Sequence, residues 1–205
     1  MSQDFFWMIQ DIQPEEIEMK LILECAPLLS GLKAANLVNI EKKQFKNLKA
    51  ILKNTDISYY VLFHGGEKFT ILLYRYTGLK HYLSQPETRE LLNQMGYFST
   101  QIYELLYLFS LKYKQFVNGI DGFPHEMGIF LGYPIEDVVG FIENEGKNFL
   151  CTGYWKVYKN VPEKTRLFKS FEQAKKTMVT LLFYGFNIME VVDIFNQRRC
   201  GEVIA

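Results

Sequence analysis

The sequence predicts one α/β (or α+β) domain over residues 1–205. Its expected core is a mixed β-sheet of about five strands, with a central hairpin and helices on both faces. Three observations carry this expectation. Two apolar runs, ISYYVLFH at 57–64 and EKFTILLY at 67–74, flank Gly65-Gly66 and read as a β-hairpin. Both faces of these runs are largely apolar, which requires helices on each side. Around them, Pro, Ser, Asn and Gly punctuate stretches with helical periodicity.

Each element follows in order. Pro14-Glu15-Glu16 opens a first helix, because Pro suits the first helical position and acids there complement the dipole. Ile17, Leu21 and Ile22 extend it toward Cys25, and Pro27 is expected to end it, since a residue before Pro avoids the α region. Asn36 to Ile40 reads as a short strand and Glu41 to Asn54 as a basic amphipathic helix. A Gly65-Gly66 turn sets His64 opposite Glu67, Leu62 opposite Phe69 and Tyr60 opposite Ile71. Helices over 78–84 and 86–95 come next, the second closed by Gly96. Ser99 then caps a longer helix carrying Ile102, Leu105, Leu106, Phe109 and Phe116.

Met127 to Leu131 is expected as a buried strand. Gly132-Tyr133-Pro134 turns it into a helix with Ile135, Val138, Val139 and Ile142 on one face, stopped at Gly146. Cys151 to Tyr158 reads as a strand, and Pro162 opens a long helix ended at Gly185. Asn187 and Glu190 form a capping-box-like start for the last helix.

Composition narrows the function classes. Lys plus Arg equals Asp plus Glu, 23 against 23, whereas nucleic-acid binders carry a basic excess or stripe. The expectation is no nucleic acid. The aromatic content is 16%, dominated by Phe and Tyr, which reads as core material, not a base-stacking surface. Cys25, Cys151 and Cys200 form no CxxC pair, so a zinc ribbon or thioredoxin-type motif is excluded. The N-terminal stretch lacks a basic region before its apolar residues, and no apolar run reaches membrane-spanning length. These features predict a cytoplasmic protein without a membrane segment.

ECAPLLSGLKAANL (24–37), ILLYR (71–75), FPHEMGIFLGYPIEDVVGFI (123–142) and GYWKVY (153–158) together resemble one bacterial family, catalogued as domain of unknown function 3793. The resemblance runs along nearly the whole chain, and the FPHE-to-GFI block is its most specific part. It implies a cytosolic protein of anaerobic Gram-positive bacteria, in a flavodoxin-linked redox context. It assigns no cofactor and no catalytic residue.

The candidate residues therefore come from the chemistry of the sequence. His125-Glu126 lacks the second imidazole of HExxH, because Ile129 stands four residues on. The pair reads either as loop hydrogen-bonding groups or as the rim of a site. Gly132-Tyr133-Pro134 matches no phosphate loop, and Glu136-Asp137 would repel an anion there. Cys25 is a buried structural thiol in one reading and a nucleophile beside His125 and Glu126 in the other. Lys33, Arg75 and Lys156 interrupt apolar segments, so each is either ion-paired, with Glu126 or Glu24 for example, or one wall of an anionic-ligand pocket lined by Tyr and Trp155.

The leading functional expectation is a domain that binds a small molecule or a protein partner. The alternative is a redox or hydrolytic enzyme using Cys25, His125 and Glu126 on a small anionic substrate. A third reading is an oligomer formed through the FFWM segment at 5–8.

Overall fold

The computed structural model describes residues 17–202, so Pro14-Glu15-Glu16, the FFWM segment and the side chain of Cys200 lie outside the described residues. The chain runs α1 (Ile17–Leu29), β1 (Ala35–Glu41), a 3-10 turn (Lys42–Gln44), α2 (Phe45–Leu52), β2 (Ile57–Gly65) and β3 (Lys68–Arg75). It continues through α3 (Tyr76–Leu83), α4 (Pro86–Gln94), α5 (Ile102–Val117), α6 (Met127–Phe130) and α7 (Ile135–Glu143). Two short strands, β4 (Cys151–Thr152) and β5 (Lys156–Val157), precede the long α8 (Val161–Phe183) and α9 (Ile188–Glu202).

The five described strands do not form one mixed sheet. They divide into a three-stranded antiparallel sheet, ordered β1-β3-β2, and a separate β4-β5 ribbon. The α+β class and the helices on both faces stand; the single five-stranded sheet is corrected. The middle strand β3 explains the two-layer cover. Ile71 and Leu73 enter one core with Val38, Ile40 and Ile57, against α1, α2, α8 and α9. Leu72 and Tyr74 enter the other with Ala35 and Leu62, against α3 to α7. A strand buried on both faces cannot alternate apolar with polar.

The hairpin forms with a different register. Gly65 pairs with Lys68 and His64 with Phe69, so the turn residues are Gly66 and Glu67. Gly66 has φ +54, a conformation that favours glycine. A bulge between Val61 and Phe63 then shifts the pairing to Val61–Ile71 and Tyr60–Leu72. The extra residue lets Leu62 and Phe63 both turn toward α5, where Phe63 meets Tyr113. Hydrophobic alternation alone could not reveal the bulge, because both faces are apolar.

Three other elements differ from expectation. Pro27 lies inside α1, which continues to Leu29, because its missing N–H removes only one bond near a well-packed helix end. Met127–Leu131 is not a strand: Met127 N donates to Pro124 O at 3.0 Å and Phe130 N to Glu126 O at 3.0 Å, winding α6. A short apolar run suits a buried helical turn as well as a strand, and here Phe130 stacks on Phe109 with centroids 4.4 Å apart. Cys151–Tyr158 is not one strand either, because the chain reverses at Gly153, which Phe168 packs against too closely to admit a Cβ.

The start of α9 matches its sequence signal. Asn187 Oδ1 accepts from Met189 N and Glu190 N, and Glu190 reaches back to Asn187 N at 2.8 Å.

Arg75, at the end of β3, is the main polar fastener of the fold. Its Nε donates to Leu28 O at 3.1 Å and its Nη2 to Leu29 O at 2.9 Å, satisfying carbonyls at the C-terminus of α1. Nη1 pairs with Asp56 just before β2. The guanidinium is buried, whereas the Asp56 side chain is 57% exposed. Arg75→Met should therefore lower stability by roughly 3 kcal/mol, because two carbonyls and the base of the sheet lose their donor. Asp56→Asn should cost about 1 kcal/mol or less. Urea unfolding of both variants checks this, and equal losses would show that the ion pair, not the carbonyl capping, dominates.

Candidate functional site

A cleft of about 250 Å³ opens where α6, the Gly132-Tyr133-Pro134 turn, α7 and the β4-β5 ribbon meet. Phe123 and His125 form one lip, and Met127, Leu131 and Val138 lie along the apolar side. Tyr133, Phe141, Tyr154 and Trp155 supply aromatic walls, and Lys156 completes the lining.

The walls are held by local sequence. Tyr133 stacks on Trp155 with centroids 4.9 Å apart and planes at 27°. Its carbonyl accepts the Tyr82 hydroxyl from α3. Trp155 also packs edge-on to Phe168 of α8, at 4.6 Å. Tyr154 donates to Glu172 Oε1 at 2.7 Å.

Asp137 ties the ribbon to α7. Its Oδ2 accepts from Trp155 Nε1 at 2.7 Å, and its Oδ1 accepts from Tyr158 N at 2.7 Å and Lys159 N at 3.2 Å. The carboxylate sits in the first turn of α7, where the helix dipole favours negative charge. It is only 2% exposed. Close approach of the ribbon also needs Gly140, where a Cβ would come within 2.5 Å of the Tyr158 ring.

His125, Trp155 and Lys156 meet at this cleft. His125 is exposed, its ring 5.7 Å from Phe123 and 5.8 Å from Phe141. Lys156 Nζ donates to Gly146 O at 2.7 Å and lies 5.6 Å from the Phe141 centroid. The other four candidates have different surroundings.

Glu126 is buried, accepting from Tyr97 Oη at 2.7 Å and pairing with Lys112 at 3.3 Å. Burial, then the neighbouring Glu126 charge, push the Tyr97 phenol well above its ordinary range, so Tyr97 stays a donor. Cys25 is fully enclosed in the core between α1 and the sheet. Burial pushes its thiol up to about 12, against the Asn36 amide donating to Sγ at 3.3 Å, which opposes nucleophilic use. Arg75 is the fastener described above, paired with Asp56 and not with Glu126 or Glu24. No described contact joins Cys25 to His125 or Glu126.

Lys33 stands behind the cleft. Its ammonium lies 4.8 Å from the Tyr133 ring centroid and donates to Asn36 Oδ1 at 3.1 Å. Burial lowers its pKa from 10.5 to about 8. The nearby Cys25 thiol is neutral in that range, so it does not offset the burial.

Sequence reasoning placed Asp137 only as a repelling first-turn acid and did not select Tyr133, Phe141 or Tyr154. A usable signal existed. Asp137, Gly140 and Phe141 share a stripe at i, i+3 and i+4, and Asp137 and Gly140 are buried while Val139 is half-buried. Among the described residues, no group of three or more His, Cys, Asp or Glu side chains could hold a metal ion. No helix among them is long and apolar enough to cross a membrane.

Fold and site thus define an α+β chain with an aromatic cleft set beside, and not on, its sheet. The chain belongs to the family described as Protein of unknown function (DUF3793), whose family model matches residues 21–192 and so spans the sheet and the whole cleft. Comparisons with curated proteins and with solved structures give no significant match.

Two variants test the energetics. Asp137→Ala leaves the Trp155 indole N–H and two backbone N–H groups without their acceptor, at a cost of about 3 kcal/mol or more. Near-ultraviolet circular dichroism should show loss of the Trp155 signal before global unfolding; an unchanged spectrum and midpoint would contradict this bonding. For Lys33, both states are charged below about pH 8, where its burial opposes folding in full. Between about 8 and 10.5 the unfolded chain still holds the proton that the folded one has released, so stability rises with pH. The stability of wild type relative to Lys33→Met should increase by roughly 2–3 kcal/mol across that window. A flat difference in parallel urea titrations would refute the buried-charge account.

Proposed function

We propose that the protein binds a small molecule in the cleft between α7 and the β4-β5 ribbon. The carrying observation is the cleft's composition: aromatic walls from the Gly132-Tyr133-Pro134 turn, α7 and the β4-β5 ribbon, with polar donors from His125 and Lys156 in the lining. Concave, mainly apolar sites with a few placed polar groups are the usual form of small-molecule sites. Its volume suits a compact ligand of one or two rings, since cavities of about 150 Å³ take up benzene.

The enclosure of Cys25 favours binding over nucleophilic chemistry through that thiol. Its burial in the α1 core and its distinct set of neighbours keep it out of the cleft's lining. Asp137 carries the structural load of the site and leaves His125 and Lys156 as the groups that meet a ligand.

Methyl-labelled methionine gives a direct test, because Met127 is the methionine that lines the cleft. Titration with ring compounds should shift the Met127 methyl resonance, assigned through Met127→Leu, and leave Met19 and Met178, buried in the other core, unmoved. Saturable binding with Met127 unmoved would place the site elsewhere and end this reading.

A further inference from the structure

We propose that the ligand class of this cleft is a single-ring aromatic carboxylate, its ring between the aromatic walls and its carboxylate at the lips beside Lys156 and His125. This rests on the cleft being a small-molecule site and adds to it the charge, shape and direction of the ligand.

The shape follows from the walls. Tyr133 and Trp155 stack nearly parallel, and the Phe141 ring lies 5.8 Å from the His125 ring and 5.6 Å from Lys156 Nζ. Flat rings pack against flat rings by offset or edge-on contact, a preference that a puckered aliphatic ring does not share. A cleft of about 250 Å³ holds one such ring with a short side arm.

The charge follows from where the polar groups sit. Asp137 is the acidic residue in the lining, and it is withdrawn: 2% exposed, with both oxygens engaged by three N–H groups of the ribbon. It neither attracts a cation into the cleft nor offers a free acceptor. The Tyr154 hydroxyl is directed to Glu172, which also pairs with Lys175 at 3.3 Å.

At the lips, Lys156 carries a positive charge with three donors, one of them on Gly146 O. The His125 imidazole, its ring 5.8 Å from Phe141, supplies a further ring nitrogen in the lining. Lys156 Nζ lies over Phe141 and Phe149, 5.6 and 5.1 Å from their centroids, so a cation at the mouth would meet like charge. An anion at the mouth meets attraction and a cation meets repulsion. The apolar interior and cationic mouth together orient an amphiphilic anion, ring inward.

Four probes on the full chain separate the parts of this assignment: phenylacetate, phenylacetamide, cyclohexylacetate and benzyltrimethylammonium, measured by calorimetry with the Met127 methyl resonance as locator. Phenylacetate should bind at the cleft, with phenylacetamide weaker by roughly tenfold, since charge-assisted hydrogen bonds are the strong ones. Cyclohexylacetate should be several-fold weaker and the ammonium should not bind. Lys156→Met should abolish most of the preference for phenylacetate over phenylacetamide, and Lys156→Arg should keep it. Because Lys156 also bonds Gly146, wild type gives an independent reading. Raising salt from about 0.05 to 0.5 M should weaken the carboxylate and not the amide.

Amide binding as tight as carboxylate binding, with Met127 shifting in both, would overturn the anionic class and leave the cleft reading standing. Cyclohexylacetate equal to phenylacetate would overturn the aromatic class. Tightest binding by the ammonium would reverse the charge. Saturable binding that leaves Met127 unmoved would remove the site itself, and with it this inference.

Discussion

The buried guanidinium of Arg75 is the constraint on which the layered architecture depends. It closes the C-terminal carbonyls of α1 at Leu28 and Leu29, meets Asp56 at the foot of β2, and projects from the end of the middle strand β3. Its own backbone N–H donates to Ala34 O at 2.9 Å, at the start of β1. One residue, through its side chain and its backbone, thus ties α1 and three strands together at one end of the sheet. A lysine could not do this, because the planar fork reaches the carbonyls and the carboxylate simultaneously.

With that end fastened, β3 is covered on both faces, and the two cores lie on opposite sides of the three-stranded sheet. The helices on the second face then create the conditions for the cleft. Phe130 must stack on Phe109, which winds Met127–Phe130 into a helical turn and throws Tyr133 out toward the ribbon. Asp137 catches the ribbon there, through the Trp155 indole and two backbone amides. The polar interaction fixes the geometry, and the aromatic contacts of Tyr133, Trp155 and Phe168 fill it. Rigid walls follow from this division of labour, since each ring is held by packing and two of them by hydrogen bonds as well.

Buried polar groups mark the seams between these units. Glu126 joins Tyr97 and Lys112 under α5, and Lys164, almost fully buried, reaches Glu136 at 2.9 Å across α7 and α8. Lys33 is different, because its ammonium is held by an amide oxygen and an aromatic face. Its position behind Tyr133 gives the cleft a positively charged backing, one layer removed from the lips.

Much of the architecture was legible in local sequence. The glycine turn and apolar runs specified the β2-β3 hairpin, Asn187 and Glu190 specified the start of α9, and the apolar spacing after Pro134 specified α7. Such signals act within one turn or one hairpin, where bond geometry and neighbouring side chains decide the outcome. Even there, the bulge at Leu62 escaped, since alternation carries no register information when both faces are apolar. Of the candidate site, His125, Trp155 and Lys156 were readable as polar or amphipathic groups at element ends, and they share the cleft. What only the tertiary structure decided was the company each residue keeps. The Arg75 to Leu28 bond joins positions 47 residues apart, and Trp155 meets Asp137 across 18. No local preference encodes which carboxylate a buried cation finds, or whether MGIFL winds or extends. Those choices follow from the shared burial of surfaces that the chain brings together only by folding.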